Sequence, residues 1–474
     1  MNLRDLTGGG PPDVEITGLA YSTSDVTDGS LFFAVPGFRA DGHDFAPEAV
    51  RRGAAAIVCE RPLGLGVPEV VVASVREAMG PIASRFYGDP THELRVVGIT
   101  GTNGKTTTAF LTRSILEASG MQCGLIGTVQ YVVGGESQDS IRTSPEAVDL
   151  QRAFRAMLDG GDRACAMEVS SHALELRRTG GIQWACRVFT NLTQDHLDFH
   201  KTMEDYFLAK RRLFVGGDAP SVVNTDDPYG ARLVEQLDAI TYAVGGEADY
   251  RAEDVAFDAG GARFTLVGPE GRADARIKLP GLFNVSNALA ATAACVQLGV
   301  SLDDAAGALA EADRVPGRLE PVDEGQDFAV LVDYAHTPDS LENVLRAARE
   351  LTRGRLHVVF GAGGDRDRDK RPLMGAAAVQ NADRVIVTSD NPRSEDPAAI
   401  IEQILAGTGT GVEHEVDRRR AIAVAIGTAA AGDVIVIAGK GHEQGQEFEN
   451  GRKEPFDDVT VAREALRARL GAAA

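Results

Sequence analysis

An α/β architecture in three domains is what the sequence predicts, on three observations. The apolar stretch Val96-Val97-Gly98-Ile99 runs into the glycine-rich turn Gly101-Thr102-Asn103-Gly104-Lys105-Thr106-Thr107 and then into a helical pattern. Beyond residue 315, apolar strands alternate with helical segments, the signature of a parallel sheet with crossover helices. A length of 474 residues suits about three domains of ordinary size. The glycine turn marks a central P-loop-type ATPase domain, and the β-α alternation marks a Rossmann-like C-terminal domain.

The first unit covers residues 1–90. Leu31-Phe32-Phe33-Ala34-Val35, Ala55-Ala56-Ile57-Val58-Cys59 and Val70-Val71-Val72 are short apolar runs of buried strands, separated by the turn signals Pro36-Gly37, Asp41-Gly42 and Gly64-Leu65-Gly66. Gly88-Asp89-Pro90 reads as the linker into the next unit.

The second unit covers residues 91–314. Its glycine turn lets backbone N–H groups converge on a phosphate chain without an intervening side chain. Lys105 reaches for the β and γ phosphates, the Thr106 hydroxyl suits Mg²⁺, and the helix N-terminus adds partial positive charge. The strict pattern places a glycine at position 99; here that residue is Ile99, and the glycines stand at 98, 101 and 104. The following helix carries Phe110, Leu111, Ile115 and Leu116, with Gly120 as its C-terminal stop. Two more strands end in polar clusters, Met167-Glu168-Val169-Ser170-Ser171-His172 and Asn191-Leu192-Thr193-Gln194-Asp195-His196. A helical stretch from Met203 to Phe214 carries Lys210, Ser221-Val222-Val223-Asn224 is a further strand, and Leu282 to Asn287 opens an alanine-rich helix ending near Gly299.

The third unit covers residues 315–474, entered through the hinge Arg314-Val315-Pro316-Gly317-Arg318-Leu319-Glu320. Strands are expected at 329–332, 356–360, 384–388 and 433–438. Each ends in a polar or glycine-rich loop: Asp333-Tyr334-Ala335-His336, Gly361 to Arg366, Ser389-Asp390-Asn391-Pro392-Arg393, and Gly439-Lys440-Gly441-His442-Glu443. Open parallel sheets bind ligands outside the carboxyl ends of their strands.

Composition narrows the function classes. Sixty-nine acidic against 48 basic residues leave a net charge of −21, which argues against broad nucleic-acid binding. An anionic ligand must then be held by local groups. No apolar run is long enough to span a bilayer, and Met1 to Pro12 lacks the basic and apolar regions of a secretory signal. Five scattered cysteines fit a reducing cytoplasm better than a disulfide framework or structural zinc.

The chemistry-bearing residues carry two readings each. Glu168 ends a strand beside the phosphate turn, where a carboxylate suits Mg²⁺. His196, flanked by Asp195 and Asp198, is either a metal ligand or a hydrogen-bonded structural histidine. Lys210, on composition and spacing alone, is a solvated lysine. Arg366 and Arg393 stand on neighbouring strand-end loops with Asn391 and Glu443; they form either a zwitterion site, which an amino acid would fill, or ion pairs that pin the loops.

Taken together and in order, these motifs resemble those of the Mur ligases, ATP-dependent amide-forming enzymes of peptidoglycan synthesis, over almost the whole chain. The resemblance implies an ATP site at Gly101, Thr102, Asn103, Gly104, Lys105, Thr106 and Thr107, with Asn284, Asp333 and His336 near base and ribose. It implies two Mg²⁺ ions at Thr106, Glu168, His196 and Lys210, the lysine carbamylated by CO₂. Lys105, Glu168, His196 and Lys210 would then be the catalytic set.

Within the family the chain is most similar to the branch that adds the third peptide residue. Thr23, Thr143, Ser144, Ser170 and Arg178 match positions that hold UDP-N-acetylmuramoyl-L-alanyl-D-glutamate, although Ser22-Thr23-Ser24 departs from the usual Asp-Ser-Arg. Arg366, Asp390, Asn391, Pro392, Arg393, Gly439 and Glu443 match the amino-acid pocket, and Asp390-Asn391-Pro392-Arg393 is similar to the signature of enzymes that add meso-diaminopimelate. The resemblance implies a cytoplasmic monomer serving cell-wall biogenesis, and hence cell shape and division. The alternatives are a lysine-adding or folylpolyglutamate-type ligase, or a non-catalytic nucleotide-switched binding protein.

Overall fold

The computed structural model describes residues 1–37, 40–140, 142–258 and 260–473. The chain forms two compact units, one of residues 1–99, 120–187 and 212–220, the other of residues 100–119, 188–211 and 221–474. The division falls within the middle stretch of the sequence.

The first unit opens with a four-stranded parallel sheet, Gly18–Ala20, Ser30–Phe33, Ala54–Cys59 and Glu69–Val71, paired in chain order. Alternating side chains send Leu31, Phe33 and Val58 to one face and Phe32, Ala34 and Ile57 to the other, and both faces are buried. The helix Val75–Phe86, capped by Ser74, covers one face with Met79, Ile82 and Ala83. Also in this unit, the strand Arg95–Thr100 pairs in parallel with Ala164–Glu168, which pairs in turn with Cys123–Ile126. An antiparallel meander, Gln130–Val133 and Glu136–Asp139, extends that edge. A Cβ on Gly98 would lie 2.6 Å from the ring of Trp184, so the strand tolerates only glycine beneath the indole.

In the second unit the helix Lys105–Ala118 buries Thr106, Thr107, Thr108, Leu111, Ile115 and Leu116. It packs on the alanine-rich helix Leu282–Gln297, whose small side chains allow close approach. Gly120 follows it with φ +86°, in the left-handed conformation that ends helices. The expected helix around Lys210 runs Met203–Arg211 and tightens into a 3₁₀ turn at Arg212–Phe214.

Two stretches differ from expectation. Residues 240–277 form strands Ile240–Ala243, Tyr250–Asp258, Gly261–Gly268 and Gly271–Ile277, the last three antiparallel. Their exposed faces carry Arg, Asp, Glu and Thr, which hides the apolar alternation in the sequence. The third unit of the sequence gains two edge strands, Glu320–Pro321 and Glu413–Glu415, both too short and polar to signal themselves.

The expected C-terminal strands are all present, at Ala329–Asp333, Leu356–Phe360, Arg384–Thr388 and Val434–Ala438. They form the parallel core of a six-stranded sheet in which Val434–Ala438 lies between the first two. Asp333 and Phe360 both pair with Ala438, so the loops after these strands leave from one edge. Apolar clusters bury both faces. The five cysteines are buried and free. No helix of the described residues is long and apolar enough to cross a membrane.

Candidate active site

The glycine turn builds the first cluster. Gly104 has φ +85° and starts the helix, and a Cβ there would lie 2.3 Å from Asn287 Oδ1. A Cβ on Gly101 would lie 1.8 Å from Thr190 Oγ1. The loop is held from outside: Thr102 N donates to Asn191 O at 2.9 Å, Asn103 N to Asn191 Oδ1 at 2.8 Å, and Asn103 Nδ2 to Asp339 at 2.9 Å. Its lysine folds over it, with Lys105 Nζ 3.0 Å from Gly101 O and 2.8 Å from Thr102 O.

A cavity of about 470 Å³ opens beside this turn. Asn103, Gly104, Thr107, Asn284 and Asp333, five of the ten residues expected at the nucleotide site, line it together with Asn287. Asn284 is buried and fixed by Nδ2 donation to Pro280 O at 2.8 Å. Asp333 accepts from Leu319 N at 2.8 Å and Ala335 N at 2.7 Å, and burial raises its carboxyl above the ordinary range despite nearby Arg318.

Arg318 itself was not foreseen. It lies over the Tyr334 ring and donates from Nη2 to Thr106 Oγ1 at 3.0 Å, so a hinge residue brings a cation to the phosphate turn. Its only sequence signal is a basic residue after Pro316-Gly317.

Lys210 is buried, with Nζ 2.7 Å from Gly101 O and 4.6 Å from the centre of the Tyr206 ring. Burial, with Lys105 adding repulsion, pushes its ammonium well below the ordinary lysine range. This is not the solvated lysine that spacing alone suggests. His196 takes a left-handed backbone conformation, φ +57°, at the start of the turn Leu197–His200. Its Nε2 lies 3.4 Å from Asp195 Oδ2. Asp195 is the hub: buried, 3.1 Å from Lys370 Nζ and 3.8 Å from His336 Nε2. Burial opposes its ionisation, but Lys370 and the histidines outweigh that and hold it well below the carboxylate range. His336 therefore faces Asp195, and it is absent from the residues lining the cavity.

In the first unit a second cluster forms around Glu168. Its carboxylate accepts from Thr128 N at 2.8 Å and Thr128 Oγ1 at 3.0 Å. Ser144 Oγ donates to Glu168 O at 3.0 Å and accepts from Ser170 N at 3.0 Å; Thr143 and Thr128 share a hydroxyl contact of 3.1 Å. Arg178 reaches Ser144 O at 3.2 Å and pairs with Glu146 at 2.9 Å. Four of the five expected dipeptide-site residues thus come together. Thr23 lies in a separate turn, Thr23–Asp25, and among the described residues no hydrogen bond joins it to them.

The third cluster lies at the carboxyl edge of the C-terminal sheet. Gly439 has φ +117°, and a Cβ there would sit 2.4 Å from Asp390 Oδ2. Asn391 Nδ2 donates to Glu443 at 2.7 Å, and Arg393 Nη1 to Gly364 O at 2.8 Å. Arg393 Nε also pairs with Glu447 at 2.9 Å, while Arg366 donates to its neighbour Asp365 O at 2.9 Å and stays exposed. The ion pairs Arg393–Glu447 and Lys440–Glu443 pin the loops, and charged groups of both signs stand near one another at this edge. Lys440, Glu447 and the Arg371–Glu395 pair complete it, and the sequence alone did not single them out. Among the described residues no three His, Cys, Asp or Glu side chains gather into a metal site of their own.

Comparison with known proteins identifies relatives of the whole chain. The Mur ligase family, catalytic domain, matches residues 15–87; the Mur ligase middle domain matches 99–295; and the Mur ligase, glutamate ligase domain, matches 317–441. The chain is 50% identical to a UDP-N-acetylmuramoyl-L-alanyl-D-glutamate--2,6-diaminopimelate ligase of Geobacillus kaustophilus, covering 97% of this chain and 96% of that one. It is 46% identical to the Streptomyces coelicolor protein of that name, covering 99% and 96%. A solved structure of that name superposes with a TM-score of 0.72 at 34% identity, covering 99% of both chains. The fold is the three-domain α/β fold of these proteins, with parallel sheets in the first and last domains and a mixed sheet between. On the strength of three family matches in order and relatives at this identity over nearly the full length, the chain belongs to the Mur ligase family.

Proposed function

We propose that the protein joins meso-diaminopimelate to UDP-N-acetylmuramoyl-L-alanyl-D-glutamate at the expense of ATP, in peptidoglycan precursor synthesis. The observation that carries this reading is the near full-length identity to relatives bearing that name, 45–50% across the proteins compared. The Asp390-Asn391-Pro392-Arg393 loop, with Arg393 and Glu443 at one sheet edge, supports the choice of amino acid.

The reaction has two steps. The γ-carboxylate of the D-glutamate attacks the γ-phosphate of ATP, releasing ADP and leaving an acyl phosphate. The amine of diaminopimelate then attacks the acyl carbon, phosphate departs, and the amine proton is lost. Two anions meet in the first step, so catalysis must supply positive charge. Lys105, Arg318 and the helix N-terminus at Gly104 bring it to the phosphate turn. Arg178, held against Ser144, would orient the dipeptide carboxylate. Arg366 and Arg393 would take the carboxylates of diaminopimelate, and Glu443 an ammonium.

The Thr106 hydroxyl of the second unit and the Glu168 carboxylate of the first are each oxygen groups that would suit Mg²⁺, and His196 would be a further candidate ligand in the second unit. Burial lowers the proton affinity of the Lys210 amine, and an amine that gives up its proton can add through its lone pair to CO₂, losing a further proton and becoming a carbamate anion. That anion would serve as a further oxygen ligand. Held by such residues, Mg²⁺ would supply positive charge that offsets the repulsion of the two anions.

Phosphate release from ATP tests the reading, with the UDP-muramoyl dipeptide present and diaminopimelate compared with L-lysine. Release with diaminopimelate alone is expected. Equal release with lysine overturns the substrate assignment, and release with neither overturns the activity.

A further inference from the structure

We propose that Lys440 is the positioning residue of the diaminopimelate site: its buried ammonium fixes Asn391 and Glu443 in the orientation that reads the amino acid. The inference deepens the proposed function and rests on it.

Lys440 is 0% exposed, so it does not meet a bound amino acid from solvent. A buried ammonium needs partners for its donors. Lys440 Nζ donates to Asn391 Oδ1 at 2.8 Å and to Glu443 Oε2 at 3.0 Å. Those two residues are bonded to each other, Asn391 Nδ2 to Glu443 Oε2 at 2.7 Å. The three side chains close a triangle.

The triangle settles an ambiguity that an asparagine alone leaves open. A carboxamide can turn by half a rotation and exchange its donor for its acceptor. An ammonium offers donors only, so the Asn391 atom facing Lys440 must be oxygen. Glu447 N donates to the same oxygen at 2.9 Å. The Asn391 NH₂ group is therefore directed toward Glu443, and its second N–H remains for a carboxylate of the substrate. Glu443 is anchored from behind by Lys440 and beside by Asn391, which leaves Oε1 as the oxygen to receive a substrate ammonium.

The loop geometry serves the same end. Gly439 and Gly441 flank Lys440 with φ +117° and +56°, turning the backbone so that the lysine runs inward rather than to solvent. Asp390, buried beside it, carries a compensating charge. Without Lys440, the Asn391 oxygen keeps only the Glu447 N–H as a donor and Glu443 loses the cation that holds it, so the pair is less firmly oriented.

The test is steady-state kinetics on the full-length Lys440→Met and Lys440→Gln variants. Each is measured for diaminopimelate, ATP and the UDP-muramoyl dipeptide, with melting curves alongside. KM for diaminopimelate should rise at least 30-fold in Lys440→Met, while KM for ATP and the dipeptide stays within twofold of wild type. Lys440→Gln, which keeps one donor toward Asn391 Oδ1, should recover part of the loss. Lys440→Met in a Glu443→Gln background should cost little beyond Glu443→Gln alone. An unchanged KM for diaminopimelate overturns the proposal. So does a parallel rise in all three KM values, additivity in the double variant, or failure of both single variants to fold, each of which makes Lys440 structural. A wild type that does not use diaminopimelate refutes the function itself, a result separate from any of these.

Discussion

Glu447 grips Arg393 twice: the Arg393 backbone N–H donates to Glu447 O at 3.0 Å, and Arg393 Nε to Glu447 Oε2 at 2.9 Å. Arg393 sits at φ +51°, a conformation that side chains rarely adopt, and this double contact holds it there. The arginine expected to meet a substrate carboxylate therefore has a resident one as neighbour.

Glu447→Gln should remove the competing charge while retaining the backbone contact. KM for diaminopimelate is expected to fall about 3- to 10-fold, a gain near 1 kcal/mol. Arg393→Ala should lower kcat/KM for diaminopimelate by roughly 100-fold or more. Initial rates at varied diaminopimelate check both; a Glu447→Gln variant with raised KM would show that the carboxylate orients the arginine rather than competing for it.

Lys210→Ala should lower phosphate release by on the order of 100-fold or more, as expected when a charge-bearing group is lost from a phosphoryl-transfer site. Acetate or formate should restore part of the activity by placing a small carboxylate in the vacated space. Full activity in the variant, or no rescue of an inactive one, would remove the carbamate from the mechanism.

Arg418 and Asp458 form a fully buried ion pair at 2.7 Å, and Arg418 also donates to Ser389 O at 3.3 Å and Ala438 O at 2.9 Å. It ties two strand ends just ahead of Asp390 and Gly439. Arg418→Met leaves Asp458 buried without its partner and should cost about 3–5 kcal/mol in urea unfolding. Arg418→Met with Asp458→Leu should recover much of that stability, because two matched apolar groups replace two charges.

Glu395 accepts a bidentate contact from buried Arg371, and this hydrogen bonding lowers its carboxyl from the ordinary 4.5 to about 2. A depressed folded value means that the unfolded chain binds the proton more readily. The stabilisation is thus complete above about pH 4.5 and is lost as pH falls toward 2. Urea midpoints of wild type and Glu395→Gln should differ most near neutral pH and converge across that window. A gap independent of pH would place the stability elsewhere.

The parts of the fold that the sequence revealed are those with local signals. The strand before Gly101, the turn itself and the helix after it are adjacent in the chain, and each residue type reports its own task. The four C-terminal parallel strands are buried on both faces, so their apolar runs stand out. The antiparallel strands of residues 250–277 alternate with Arg, Asp and Glu on their open face, and that pattern blurs against loops. For the candidate site the sequence offers a list of residues and not their pairings. Asp195 meets Lys370 across 175 positions, and Arg393 meets Glu447 across 54. Burial of Lys210 is likewise a property of its surroundings, invisible in the short segment that carries it.

The packing of Gly98 beneath Trp184 has a practical consequence. The chain contains a single tryptophan, and it rests on the strand that delivers the phosphate turn. Its emission is therefore an intrinsic optical reporter from one defined spot, with no label to attach and no second indole to subtract. Loosening of that strand during unfolding can be followed in the native protein by the light of one side chain.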